Sequence, residues 1–245
     1  MARRAVILGN GVVGAEKQCV ALAEAVGRAL PAASGLPFSL RRVQLPTPMR
    51  RLPTRLQLAA GALLGVNSRL ARDVLADGAA PPALAISCGR ASIPASVALK
   101  EAVRDRTLTV HVQRPACDTR RFDLVVAPRH DYATHERVPS NVFLTDGSLH
   151  GLGGAEPLRR AAAEWRDVLH PYARPRLVLL LGGAVSRRWW QRPLAPELTA
   201  ESTGRLVRSA ADAVARRGGS LLVSTSRRTP ARRREFTRGR SASCG

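Results

Sequence analysis

Ala5-Val6-Ile7-Leu8-Gly9-Asn10-Gly11-Val12-Val13-Gly14 is the stretch on which the fold turns. An unbroken apolar run of this kind describes a strand covered on both faces rather than one with a wet side. Glycine at its end lets the chain turn sharply and lets backbone amides come close to a ligand or to a following helix. The same grammar returns where Leu84-Ala85-Ile86 runs into Ser87-Cys88-Gly89-Arg90, and where Leu177-Val178-Leu179-Leu180-Leu181 runs into Gly182-Gly183. Repeated strand-to-glycine-to-helix units predict a parallel α/β protein with its sites along one edge of the sheet.

Outward from that first unit, the spacing of Cys19, Leu22, Ala23, Val26 and Leu30 predicts a helix over 15–30, and residues 38–45 alternate like a strand. Residues 55–76 read as one long amphipathic helix in which leucines are set among Arg55, Arg69 and Arg72. The plainer expectation is a helix covering the sheet; the competing one is a basic helix on a membrane surface. Strands are expected at 83–87, 107–112, 123–127 and 141–145, with helices at 92–103 and 157–169. The proline-flanked segment 171–175 predicts a boundary between a first Rossmann-like domain, 1–170, and a partial second one, 176–230. The second holds a strand at 176–183, a helix near 197–217 and a strand at 220–224, too little sheet to stand alone. Past Pro230 the periodicity stops, and the arginine-rich stretch 231–245 is expected to be a disordered tail.

Composition bounds the possibilities. With 245 residues, 45% of them hydrophobic, the chain can build a substantial core. No apolar run approaches the roughly 20 residues of a spanning helix. The first strand begins within a few residues of Met1, leaving no length for a signal or transit peptide, so the cytosol or a cytosolic membrane face is expected. Cys19, Cys88, Cys117 and Cys244 lie far apart without a C-x-x-C pair and read as free thiols. Neither a metal nor a cofactor is expected. The 39 basic against 18 acidic residues give a net charge of +21, but the arginines are scattered and only 4% of residues are aromatic. That pattern offers few platforms for base stacking and speaks against nucleic acid as a partner.

Candidate ligand-binding residues cluster after the strands. Gly9, Gly11 and Gly14, with Asn10, match the spacing G-x-G-x-x-G, although no acidic residue follows at the ribose position; phosphate binding and simple strand–helix packing both remain open. Ser87, Gly89 and Arg90 lie where a parallel strand releases its chain toward a crevice, and the planar guanidinium of Arg90 suits a phosphate or carboxylate. Gln113 and His130 end the next two strands. His130 offers acid–base chemistry or a loop-fixing hydrogen bond, and the adjacent Asp131 need not orient it, since neighbours in extended chain point opposite ways. In the second half the candidates are Gly182, Gly183, Ser226, Arg227 and Arg228, in anion-binding turns or surface turns. No residue is assigned as catalytic, because the zincin, Walker, nucleophile-elbow and kinase patterns are absent from the sequence.

Taken together and in order, residues 9–19, 87–90, 109–115 (Thr-Val-His-Val-Gln-Arg-Pro), 121–132 (Arg-Phe-Asp-Leu-Val-Val-Ala-Pro-Arg-His-Asp-Tyr), 146–150 and 226–230 resemble the plant "elongated mitochondria" fission factor family and its bacterial relatives. The Gly-Asn-Gly opening and the Pro-Arg-His-Asp-Tyr segment look more like the plant branch. The resemblance implies two Rossmann-like halves of the GT-B glycosyltransferase kind, related to nucleotide-sugar enzymes. It also implies a peripheral protein on the cytosolic face of the mitochondrial outer membrane that helps recruit a dynamin-related GTPase. Family members continue past the Ser-Arg-Arg-Thr-Pro segment with further strands and helices, so a truncation or frameshift near Pro230 is expected.

Overall fold

The computed structural model describes residues 4–30, 36–76, 80–153, 155–182, 199–226 and 229. The chain divides into two compact units, Met1–Pro157 and Leu158–Gly245. The sequence candidates Gly183, Arg227 and Arg228, with the tail 231–245, lie outside the described residues.

In chain order the first unit holds β1 (Ala5–Gly9), α1 (Val13–Ala29), β2 (Phe38–Arg42), α2 (Thr47–Arg50), α3 (Thr54–Leu63), α4 (Val66–Leu75), β3 (Leu84–Cys88), α5 (Ile93–Val103), β4 (Leu108–Val112), β5 (Leu124–Pro128) and β6 (Val142–Thr145). The six strands form one parallel sheet in the order β2-β1-β3-β4-β5-β6. β1 and β3 are buried along their whole length, as uninterrupted apolar runs require when both faces are covered. Alternate residues serve opposite faces. Ala5, Ile7, Ile86 and Cys88 meet Cys19 and Ala23 of α1 on one side, while Val6, Leu8 and Ala85 meet Leu70, Val74 and Leu99 of α4 and α5 on the other. Each fully buried valine, leucine or isoleucine side chain in these layers contributes about 1.5–3 kcal/mol. A third cluster joins Phe122, Val125 and Ala127 to Leu58, Ile93 and Val97.

Two expected helices are each broken. The single helix over 55–76 is two, because Gly65 adopts the left-handed conformation (φ 67°) and turns the chain between α3 and α4. The helix over 157–169 is divided at Trp165 into α6 (Ala155–Glu164) and α7 (Arg166–Leu169). α2 is a single turn begun by Pro46 and Pro48, too short to leave a periodic signal.

The second unit contains β7 (Arg176–Leu181) and β8 (Ser220–Thr225), paired in parallel, with α8 (Ala200–Ala215) packed on them. Thr199 caps α8 by accepting from the Ser202 amide at 3.0 Å. Leu181 and Val214 are buried, whereas Val178 and Leu180 are 56% and 75% exposed, so the sheet presents an apolar face to solvent. The architecture is thus mixed α/β, a full parallel sheet flanked by helices and a second, two-stranded parallel sheet, compatible with Rossmann-like halves. Among the described residues no helix is long and apolar enough to cross a membrane.

Candidate functional site

The strand order reverses between β1 and β3, because the chain leaves β1 outward to β2 and then returns to the other side. In open α/β sheets such a switch point opens a crevice beyond the carboxyl ends of the two strands. Gly9-Asn10-Gly11 and Cys88-Gly89-Arg90 emerge there, and Asn10 ties them together. Its Nδ2 donates to the Cys88 carbonyl at 3.1 Å, and its Oδ1 accepts from the Val12 amide at 2.9 Å. Gly89 has φ 79° and ψ 163°, a conformation essentially restricted to glycine, and a Cβ there would lie 3.0 Å from Asn10 Nδ2. Gly11 also has positive φ, 77°, while a Cβ on Gly14 would meet open space, so Gly14 is not held by tight strand–helix packing. Arg90 is exposed beside Gly89.

One amide of the glycine loop ahead of α1 is taken from within. Glu16, only 7% exposed, accepts from the Gly11 amide at 2.8 Å through Oε1, and Arg42 grips both carboxylate oxygens through Nε and Nη2 at 3.1 Å each. Arg42 is placed by β2, whose register sets it opposite Gly9, and a Cβ on Gly9 would come within 2.6 Å of Glu16 Oε1. The Arg42 hydrogen bonds, reinforced by the Gly11 amide and opposed by burial, hold the Glu16 carboxyl below the usual carboxylate range. Sequence reasoning missed this pair. The available signals were an acid in the first turns of α1 and an arginine ending the adjacent strand.

Ser87 lies in the core with no exposed surface. Opposite it in register, His111 places Nδ1 2.8 Å from Ser87 Oγ, and its ring stacks on Phe122 with centroids 4.8 Å apart. Burial pushes the imidazole down to about 3, so it is neutral at physiological pH. A ligand that reaches Gly89 and Arg90 therefore does not reach Ser87 unless the core opens.

The loops after β4 and β5 form a second polar group. Gln113, with φ 78°, donates its amide to the Val126 carbonyl at 2.8 Å. Arg114 binds both oxygens of Glu136 at 2.8 and 2.6 Å, donates to the Asp131 carbonyl at 2.9 Å, and stacks 4.5 Å from the Tyr132 ring centroid. The Asp131 carboxylate accepts from the Arg114 amide at 3.3 Å, and the exposed His130 places Nε2 3.8 Å from it. His130 lines a cavity of about 480 Å³ with Arg129, Thr134 and Asp146. A larger groove, about 1040 Å³, runs between α3 and the loop after β4 and is lined by Arg55, Leu58, Ala62, Arg114, Cys117 and Arg121. Burial raises the Cys117 thiol.

In the second unit, the Thr229 hydroxyl donates to the Leu181 carbonyl at 2.9 Å and accepts from the Ser226 amide at 3.0 Å, closing the turn after β8 onto the end of β7. Gly182 joins that turn through its carbonyl, 3.2 Å from Thr229 Oγ1. Among the described residues no group of histidine, cysteine, aspartate and glutamate is arranged to hold a metal ion.

Fold and site together define a parallel α/β protein with a strand-order switch point whose polar loops are bound chiefly to one another. The chain belongs to the mitochondrial fission ELM1 family, whose model matches residues 13–243. It is 27% identical over 289 aligned residues to mitochondrial fission protein ELM1 of Arabidopsis thaliana, in a match covering 94% of this chain and 65% of that protein. The chain thus spans about two-thirds of that relative's length. No solved structure matches it.

Proposed function

We propose that this chain serves mitochondrial fission as a peripheral adaptor on the cytosolic face of the outer membrane, helping to recruit a dynamin-related GTPase. The observation that carries the reading is family membership extending over residues 13–243. The site geometry supports a scaffold. Glu16 and Arg42 complement the amide that a phosphate would otherwise take, His111 is neutral and sealed in the core, and Arg114 knits two loops through Glu136. Adaptors work through surface and need no reactive centre. Loss of the protein is expected to leave elongated mitochondria and reduced GTPase on their surface by fluorescence microscopy; normal mitochondrial length in null cells refutes the reading.

A second reading, an enzyme of the GT-B type that binds a nucleotide-sugar, is favoured by one feature. The Gly9–Gly11 loop and Arg90 lie at the switch point where such folds take their ligands. Calorimetry with a panel of nucleotide-sugars decides it, since saturable heats abolished by Arg90→Ala favour the enzyme and silence across the panel removes it.

A further inference from the structure

Neighbouring helices of the first unit treat their faces in opposite ways. α4 is closer to ordinary, with Leu70, Ala71 and Val74 buried beside one polar residue, Asn67, and Ser68, Arg69, Arg72 and Asp73 in solvent. α3 is inverted. Its inward face carries Thr54, Gln57, Leu58 and Gly61, whereas its outward face carries Arg55, Leu56, Ala59, Ala62 and Leu63. Leu56, Leu63 and Leu64 are 54%, 86% and 63% exposed. The inward polar groups are only partly served: Gln57 Nε2 donates to the Met49 and Arg50 carbonyls at 3.1 and 3.4 Å, while Thr54 Oγ1 and Gln57 Oε1 are buried without a hydrogen-bond partner among the described residues. A helix that buries polar atoms and shows leucine to water costs stability in the isolated chain, so its outer face is matched to something other than water.

The surrounding charge specifies the occupant. Over residues 47–76 the charged side chains are Arg50, Arg51, Arg55, Arg69 and Arg72 against a single acid, Asp73. The arginines are exposed, and Arg51 and Arg55 flank the start of the apolar face. Glu101 and Asp118 line the groove on the Arg55 side of α3, but the segment that carries the leucines has five arginines against one acid. Leucines at such a corner suit an anionic bilayer, where acyl chains take the leucines and lipid phosphates the guanidinium groups. We infer that the outer face of α3 and the α3–α4 corner dock on an anionic phospholipid surface through Leu56, Leu63 and Leu64 and the arginines around them. The inference rests on the peripheral-membrane part of the proposed function and gives it a surface.

The test is flotation of the full chain on phosphatidylcholine vesicles with and without an anionic phospholipid. Wild type is expected to float only with the anionic lipid. Leu63→Ser/Leu64→Ser and Arg55→Glu/Arg69→Glu should each lower the bound fraction at least about tenfold. All these positions are exposed, and unchanged far-ultraviolet circular dichroism and melting confirm that the variants fold. Leu152→Ser, exposed elsewhere, is expected to bind as wild type does. If wild type floats and the α3 variants float equally, the docking surface is wrong and the peripheral reading stands. If wild type ignores anionic vesicles but binds mitochondria until their surface proteins are removed by protease, α3 does not dock on lipid and the face meets a protein. Mitochondrial length in null cells judges the fission role separately from either outcome.

Discussion

Gly89, His111 and Glu16 show how single residues set this protein's tolerances. Gly89 adopts φ 79° and ψ 163° directly beneath Asn10, so Gly89→Ala is expected to cost about 1–3 kcal/mol, read as a lower denaturant midpoint with an unchanged slope. His111 is held neutral down to about 3 in the fold, whereas an unburied imidazole titrates at 6.5. Between those values the unfolded chain binds a proton that the folded chain does not, so stability falls as pH drops through this window, by at most about 1.4 kcal/mol per pH unit. His111→Phe should remove that component, and urea melts of both proteins at about pH 7 and pH 5 measure it as a double difference. Glu16 acts lower: its pairing is fully present above the ordinary value of 4.5 and is lost as pH falls through its depressed folded value. Of these residues only the glycine was legible in the sequence. Ser87 read as a candidate at a strand end and His111 only as part of the segment 109–115, because a strand's pattern does not say which of its polar residues meets a partner across the sheet.

At the scale of elements, α3 carries the sharpest lesson. The leucines of residues 55–76 fit a helical period, but periodicity reports that a helix has faces and not which of them turns inward. One residue, Gly65, breaks the run into α3 and α4 and lets the two segments orient independently. The inverted α3 yields a stability prediction independent of any membrane. Thr54 Oγ1 is buried and unpartnered among the described residues, so Thr54→Val, nearly isosteric, should stabilise the chain by about 1 kcal/mol, visible as a raised melting temperature. A fall in stability would mean that the hydroxyl has a partner after all. The strands themselves were legible, with β1 and β3 recognisable as doubly covered from their unbroken apolar runs.

For the whole molecule, a charge of +21 on 245 residues makes self-repulsion a term in stability. Raising sodium chloride from low to physiological ionic strength should therefore raise the melting temperature, because screening relieves repulsion that the unfolded chain feels less. A flat or falling salt dependence would show that local ion pairs such as Arg114–Glu136 and Arg42–Glu16 dominate instead. Sequence by itself determined the parallel α/β class, the turns that end the strands, and the family, since each depends on residue type and local order along the chain. Only the tertiary structure decided the strand order β2-β1-β3-β4-β5-β6, and with it which strand ends meet at the switch point. It also set Glu16 against Arg42, sealed His111 beside Ser87, and turned Leu56 and Leu63 of α3 outward. These are relations between residues far apart in sequence or between opposite faces of one element, and they follow from register and packing rather than from local propensity.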